Sequence, residues 1–177
     1  MIRKYLDIDA TKTLVHAYVT SRLDYCNSLV YGMAKEFTEK LQRVQNTAAR
    51  LITRTRKFDH ITPILKDLHW LPIVERIKYK VLLLAYKAQH GLAPKYLEDL
   101  VVPYVPPRDN LRSKDQHLLE DKVRTKLKSY GDRSFRKAAA VLWNALPLYL
   151  RMAKSVTIFK SQLKTYLFKI KYNSELA

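Results

Sequence analysis

The sequence predicts a mainly α-helical fold, made of a helical bundle followed by a smaller, basic, α-rich domain. Glycine, which favours tight turns, occurs only three times, whereas good helix formers such as leucine, lysine and alanine recur throughout. Several long stretches repeat apolar residues at intervals of three and four positions, as the buried face of a helix requires. The composition, 47% apolar and 28% charged, is that of a globular chain and excludes a disordered polymer.

The first helical segment is predicted to begin near Asp9. The carboxylate of this residue can cap a helix that opens at Ala10, and apolar residues then continue at helical spacing. A compact stretch over residues 23–31 follows and ends at Gly32, which can adopt the left-handed backbone of a helix terminus. We therefore expect one helix or a helix pair before this glycine.

The second helix, predicted over residues 35–53, shows the clearest pattern. Its apolar residues stand four, three, four and three positions apart and predict a buried stripe of Phe37, Leu41, Val44, Ala48 and Leu51. Four cations predict an exposed basic ridge on its other faces: Lys40, Arg43, Arg50 and Arg54. Arg56 and Lys57 extend the charge past the helix end, where cations also suit the helix dipole. Phosphate contact and stabilisation of the helix end are both consistent with these cations.

A third long helix is predicted over residues 73–90. A short element around residues 63–68 precedes it, and Pro72 is suited to the start of the long helix. Its inner stripe is predicted to comprise Val74, Ile77, Val81, Leu84 and Ala88. Further apolar residues widen the apolar arc, so we expect this helix to be central. Gly91 ends it, and Pro94 begins another short helix.

Three prolines in the string VVPYVPPRDN predict a domain boundary. We expect a linker over residues 103–110 between a helical domain over residues 1–102 and a basic domain over residues 111–177. Within the basic domain we predict a short β-hairpin in residues 115–130 and two helices, over residues 132–144 and 155–171. The inner stripe of the last helix is predicted to be Val156, Phe159, Leu163, Leu167 and Ile170.

The net charge of +17 opposes compaction by self-repulsion unless a polyanion neutralises part of it, and nucleic acid is the commonest polyanion. The excess is +5 over residues 1–60, +2 over residues 61–107 and +10 over residues 108–177. The most cationic third holds a second set of candidate binding residues: Arg124, Lys126, Lys128, Arg133, Arg136 and Lys137.

The sequence gives no indication of independent catalysis. The five histidines form no metalloprotease pattern, and the single cysteine, Cys26, excludes an intramolecular disulfide and a cysteine-rich zinc knuckle. There is also no glycine-rich phosphate loop and no nucleophile elbow. Asp59 and His60 fit a cap and turn before a helix better than a catalytic pair. We therefore expect no catalytic residue, no metal, no cofactor and a buried, inert thiol.

Other side chains are assigned to the core or the surface. The twelve tyrosines can stack on bases or pack in a core, and we favour the core for most of them. Trp70 and Trp143 are predicted to be buried. The adjacent acids Glu98–Asp99 and Glu120–Asp121 are expected to be solvated surface charges.

The longest apolar run, residues 81–86, is too short to span a membrane, so we expect an intracellular protein, cytoplasmic or nuclear, without membrane contact.

A series of strings covers nearly the whole chain and resembles the region after the polymerase palm in non-LTR, LINE-like retrotransposon reverse transcriptases. The strings are SRLDYCNSLVYG (21–32), LQRVQNTAARLIT (41–53), DHITPILKDLHWLPIVERIKYKVLLLAYK (59–87), LAPKYLEDL (92–100), YGDRSF (130–135), LWNALP (142–147) and FKSQLKTYLF (159–168). Two positions depart from the family pattern. Arg54 stands where the family usually has glycine, and EDKV (120–123) stands where an apolar strand with proline is usual.

The resemblance implies a thumb-like helical domain and a basic C-terminal domain that bind RNA or an RNA/DNA duplex through its phosphates. It implies no polymerase activity for this fragment, because the paired palm aspartates that hold two metal ions are missing from the sequence. The alternative is a structural or protein-interaction remnant of a decayed transposable element. Oligomeric state and nucleic-acid specificity remain open.

Overall fold

The computed structural model describes residues 5–108, 114–121 and 131–173, and these residues are mainly helical, as the sequence predicts. The chain forms two compact units, Met1–Ile77 and Lys78–Ala177, which divide within a helix rather than at the proline-rich segment. The predicted linker over residues 103–110 stays a prediction. Among the helices of these described ranges, none is both long and apolar enough to cross a membrane.

The first unit consists of helices joined by short turns. In chain order its elements are α1 (Ile8–Val15), a π-helical turn (His16–Thr20), α2 (Ser21–Asp24), a 3-10 turn (Asn27–Val30), α3 (Lys35–Thr53), α4 (Ile61–Asp67) and the start of α5 (Ile73–Gln89). The first helix begins two residues earlier than predicted, because the carboxylate of Asp7, and not that of Asp9, accepts a hydrogen bond from Ala10 N at 2.6 Å.

The prediction for the extent of α3 is confirmed, but the prediction of its buried face is wrong. The buried residues are Gln45, Ala48, Ala49 and Ile52. Three members of the predicted stripe are instead exposed: Phe37 (40%), Val44 (47%) and Leu51 (46%). The true buried face is therefore rotated by about one residue from the predicted one, which places a polar side chain inside and leaves an apolar stripe outside.

Glutamine side chains explain this rotation. Gln45 Nε2 donates to Leu71 O at 2.9 Å, and Gln42 Oε1 accepts from Ile73 N at 2.9 Å. Gln42 Nε2 donates in turn to Gln45 Oε1, at 2.8 Å. Ile73 N is one of the unpaired N–H groups at the start of α5, so these amides satisfy backbone groups that would otherwise be unpaired. α3 turns toward the chain segment around residues 71–73 because its glutamines bind that segment.

An ion pair joins the start of α5 to α2. Arg76 Nε donates to Asp24 Oδ1 at 2.8 Å, and Arg76 Nη2 donates to Asp24 Oδ2. The Arg76 side chain is only 18% exposed, so this bidentate contact fixes a partly buried charge.

The buried face of α5 differs in part from the predicted inner stripe. Val74, which was assigned to that stripe, is 43% exposed, whereas Ile73, Ile77 and residues 81–83 are buried.

In its described residues, the second unit contains the remainder of α5 followed by α6 (Lys95–Glu98), α7 (Phe135–Asn144), α8 (Leu148–Arg151) and α9 (Val156–Asn173), with a 3-10 turn at Lys114–Gln116. Tyr86, Trp143 and Phe159 are at most 1% exposed and form an aromatic cluster in which the Tyr86 and Phe159 rings stack at 4.3 Å. Tyr86 Oη donates to Ala153 O at 2.7 Å, and burial raises the pKa of this phenol. The predicted burial of Trp143 is confirmed, as is that of Trp70 in the first unit.

The segment predicted to form a hairpin pairs with an earlier part of the chain. Pro103 and Leu119 form an isolated antiparallel bridge, with Tyr104 N donating to Leu118 O and Glu120 N donating to Val102 O. Residues 118–119, which lie in the segment predicted as a hairpin, therefore pair with a non-local partner, residues 102–104. The remainder of the predicted hairpin, residues 122–130, lies outside the described residues.

Other sequence predictions are corrected in detail. The Cys26 thiol, predicted to be buried, is exposed, because the residue forms a surface turn with a left-handed backbone after α2. In α9, Phe159, Leu163 and Leu167 are buried as predicted, but Ile170 is 50% exposed. The preference of the tyrosines for the core is only partly right. Among the described tyrosines, Tyr86 and Tyr172 are buried, whereas five are exposed: Tyr5, Tyr18, Tyr25, Tyr96 and Tyr149.

Candidate nucleic-acid interface

The first two cations of the predicted ridge, Lys40 and Arg43, lie on the exposed surface of α3. Their spacing of three residues places them on one side of the helix, away from the face formed by Gln45 and Ala49. Within the part of the chain that the structure describes, neither cation forms an ion pair. Both charges are therefore available to an anionic ligand.

Arg50 does not belong to this exposed surface. Its side chain is half-buried, its Nη2 donates to Asp59 O at 3.1 Å, and its Nε is buried without a hydrogen-bond partner. The guanidinium thus holds the turn after α3 against the last helical turn. The predicted full exposure of this side chain was wrong, because sequence spacing does not show where the following turn folds back, and its role in phosphate binding stays a prediction.

The chain leaves α3 through a short basic turn. Arg54 ends the helix in a left-handed conformation with φ 58°, the position that usually takes glycine. The turn from Arg56 to Asp59 is closed by two hydrogen bonds between these residues, Asp59 N to Arg56 O and Arg56 N to Asp59 Oδ2, the latter at 3.0 Å. Asp59 therefore acts as a turn residue, as predicted. Arg54, Arg56 and Lys57 all remain exposed.

Phe58 is a candidate binding residue that the sequence pattern did not indicate. It is 93% exposed and lies between Lys57 and Asp59 in this basic turn. An exposed aromatic ring beside cations, here Arg56 and Lys57, is a typical platform for an unpaired base. The available signal was an aromatic residue inside a charge run and outside any apolar periodicity. We call residues 54–58 the basic–aromatic turn.

The second candidate set has a different environment. Arg124, Lys126 and Lys128 lie outside the described residues, and Arg133 is half-buried. Arg136 Nη2 lies 3.8 Å from Glu120 Oε2, and Lys137 Nζ lies 2.6 Å from Asp121 Oδ1. The two cations at the start of α7 are thus paired with Glu120 and Asp121. Both acids were predicted to be solvated surface charges, which is right for the exposed Asp121, whereas Glu120 is half-buried.

Hydrogen bonds along α7 explain how these acids reach the cations. Trp143 Nε1 donates to His117 O at 2.8 Å, and the Asn144 amide binds both the N–H and the carbonyl of Leu119. The segment over residues 117–121 is therefore anchored near the end of α7, and its following acids meet the cations near the start of the same helix. The bonded residues lie 16 to 26 positions apart in the sequence, so spacing alone could not indicate the pairs.

The chemistry of the two sets follows from these environments. A phosphate that approaches Lys40 or Arg43 displaces only water and counterions, whereas one that approaches Arg136 or Lys137 competes with a carboxylate. Across the described ranges, no group of three His, Cys, Asp or Glu side chains is placed to hold a metal ion.

Comparisons of the chain with family models, with curated proteins and with solved structures found no match. The assignment to a retrotransposon polymerase therefore remains an expectation from the sequence resemblance.

Proposed function

We propose that this chain is a non-catalytic binding module that grips RNA or an RNA/DNA duplex through backbone phosphates. The observation that carries the proposal is the set of exposed cations on α3 and in the basic–aromatic turn, for which no described acid provides an ion pair: Lys40, Arg43, Arg54, Arg56 and Lys57. Such cations release counterions from a polyanion when they bind it, which is the main source of non-specific affinity for nucleic acid.

The dimensions of α3 suit a nucleic-acid strand. From Lys40 to Arg54 the helix rises by about 21 Å, which corresponds to roughly six nucleotides along one strand of a B-form duplex. Phe58 follows directly and provides a ring on which an unpaired base can stack. We infer that the helix contacts a strand backbone and that the turn contacts a base beyond a duplex end.

The resemblance to post-palm polymerase segments supports the same function. In that family the thumb holds the duplex behind the active site, and the strings that carry the resemblance include most of α3. We propose that the chain corresponds to this region of an RNA-directed DNA polymerase and that it does not polymerise alone.

A second candidate function is protein interaction by a structural remnant of a transposable element. The exposed stripe of Phe37, Val44 and Leu51 favours it, because three apolar side chains spaced seven residues apart on a helix are typical of a protein contact. Under this alternative, Val44→Ser with Leu51→Ser reduces self-association or partner binding and leaves RNA affinity unchanged.

The proposed function is tested by neutralising the exposed cations of α3. The double variant Lys40→Gln with Arg43→Gln is compared with Lys160→Gln and Lys164→Gln, a pair of exposed cations on α9. Glutamine keeps helix propensity in both cases. Affinity for a fluorescent RNA/DNA duplex is measured by anisotropy over a range of salt concentrations. Wild-type affinity should fall steeply with salt, and the α3 variant should lower the salt slope by about two units, one for each lost phosphate contact.

Circular dichroism melts provide the control, since all four positions are exposed and the variants should unfold close to wild type. An equal loss of affinity in the α3 variant and the α9 variant would assign the binding surface to α9 instead of α3. Wild-type affinity that does not depend on salt would contradict phosphate binding altogether.

A further inference from the structure

The second unit contains a cavity of about 390 Å³ beside the C-terminal end of α5. Its wall includes Gln89 and His90 from that end, His117 from the segment before the bridge, and residues 151–154 after α8. Among the described residues, the wall thus contains an arginine, a lysine and two histidines, and none of its side chains is acidic.

Arg151 is the most informative part of this wall. Its Nε and Nη1 atoms are buried, and no described residue provides them with a hydrogen-bond acceptor. Burial lowers the pKa of this guanidinium from its ordinary value, which reflects the unfavourable environment of an uncompensated charge. Buried donors without acceptors are costly, and no described acid balances the charge of this guanidinium, so an anion that enters the cavity offsets an uncompensated positive charge at its wall.

The imidazole of His90 is held in place on the same wall. Its Nδ1 lies 2.8 Å from Tyr86 O, and because a carbonyl only accepts hydrogen bonds, Nδ1 carries the proton. The ring also stacks on the Tyr86 ring with centroids 4.0 Å apart. At His117 the backbone is fixed by the hydrogen bond from Trp143 Nε1 to its carbonyl. These contacts preorganise the cavity around Arg151.

We propose that this cavity binds a phosphate monoester, either as a small phosphorylated molecule or as the terminal phosphate of a nucleic-acid strand. A phosphate monoester presents several acceptor oxygens and about two negative charges, which match the donors of Arg151 and the nearby charge of Lys154. The volume also falls within the range of small-molecule sites, so a phosphate with an attached organic group can enter. The site is separate from the cations of α3 and does not depend on their function.

The test uses the imidazole signals of the full 177-residue chain in NMR spectra during titration with inorganic phosphate, with ionic strength held constant by chloride. His90 and His117 should shift saturably. His16 and His69 belong to the first unit and serve as internal controls that should shift far less; His60 is left out of the controls because it follows the cations Arg56 and Lys57. Shifts at His16 and His69 equal to those at His90 and His117, or equal shifts with chloride, would show general screening and overturn the proposal.

Two variants sharpen this test. Arg151→Met keeps the stem of the side chain and removes its donors, and it should weaken phosphate binding at His90 and His117 by about tenfold or more, as the loss of a charge-assisted hydrogen bond requires. Arg22→Met, at an exposed arginine of the first unit, is the matched control and should bind as wild type does. Unchanged binding by a folded Arg151→Met variant would remove the site. Should that variant not fold, Lys154→Met, at an exposed position, takes its place with the same expectation of weakened binding.

Three further ligands distinguish the source of the phosphate. They are adenosine 5′-monophosphate, an oligonucleotide with a 5′-phosphate end, and the same oligonucleotide with a 5′-hydroxyl end. Preference for the phosphorylated oligonucleotide identifies a strand terminus as the ligand. Shifts with the mononucleotide but equal binding of both oligonucleotides identify a small molecule. Absence of saturable shifts with every phosphate-bearing ligand would contradict the site.

Discussion

The exposed surface of α3 and the start of α7 both carry neighbouring cations, and the structure gives them opposite environments. Lys40 and Arg43 have no ion-pair partner among the described residues, whereas Arg136 and Lys137 face Glu120 and Asp121. The most cationic third of the sequence thus supplies cations that are already partly neutralised. A local excess of positive charge does not by itself locate a phosphate-binding surface, because a nearby acid can come from a distant part of the chain.

The difference also shows what each surface depends on. The cations of α3 need only the helix that presents them. The paired cations of α7 need the segment over residues 117–121 to stay in place, and that segment is held by Trp143 and Asn144. Changes to the core of the second unit therefore act on the paired surface and should leave the α3 surface intact.

The largest effect is expected from Trp143→Ala. This side chain is completely buried, contacts the rings of Tyr86 and Phe159, and donates to His117 O. Its truncation should lower the free energy of unfolding of the second unit by about 3–5 kcal/mol, measured by chemical denaturation. Val141→Ala on the same helix, at a position 43% exposed, is the control and should cost less than about 0.5 kcal/mol. Similar losses for the two variants would argue against this packing.

A smaller effect is expected from releasing the paired cations. Glu120→Gln with Asp121→Asn keeps the size of both side chains and removes both charges. Arg136 and Lys137 then become available, so duplex affinity should rise several-fold and the salt slope should increase by up to about two units. Stability should change by no more than about 1 kcal/mol for each partly exposed pair.

The exposed surface of α3 provides the control for the release of Arg136 and Lys137 from their acids. Glu36→Gln with Glu39→Gln removes two acids from the exposed side of α3, where Glu39 pairs only with Lys35 at 3.6 Å. A gain equal to that of the α7 variant would mean that net charge alone sets the affinity, and the contrast between the two surfaces would not hold.

The smallest effect is expected from Arg54→Gly. A left-handed backbone is unfavourable for arginine and favourable for glycine, so the variant should gain about 0.5–1 kcal/mol of stability, measured by thermal melts. The same change removes one cation of the α3 surface and should lower the salt slope of binding by about one unit. Arg54→Ala separates the two effects, since it should lose the binding without gaining the stability. A glycine variant that binds as wild type does would exclude Arg54 from the interface.

The sequence alone determined the three long helices of this protein. The extent of α3 was predicted to the residue, and α5 and α9 were predicted to within one or two residues at each end. Helix propensity, apolar spacing and the glycines after the helices are local signals, and they are present in the chain before it folds. The cations at Lys40 and Arg43 were predicted in the same way, because helical spacing places them on one side.

Only the tertiary structure decided how the helices are turned and which charges are left without a partner. The buried face of α3 is determined by hydrogen bonds from Gln42 and Gln45 to backbone groups about 30 residues away, which outweigh the apolar pattern of the helix itself. Arg50 is half-buried and donates to the carbonyl of Asp59, and Arg136, whose side chain stays 40% exposed, pairs with the carboxylate of Glu120. Burying a polar group or a charge is favourable only when it gains a hydrogen-bond or ion-pair partner. Here these partners lie on segments that are distant in the sequence and close only after folding.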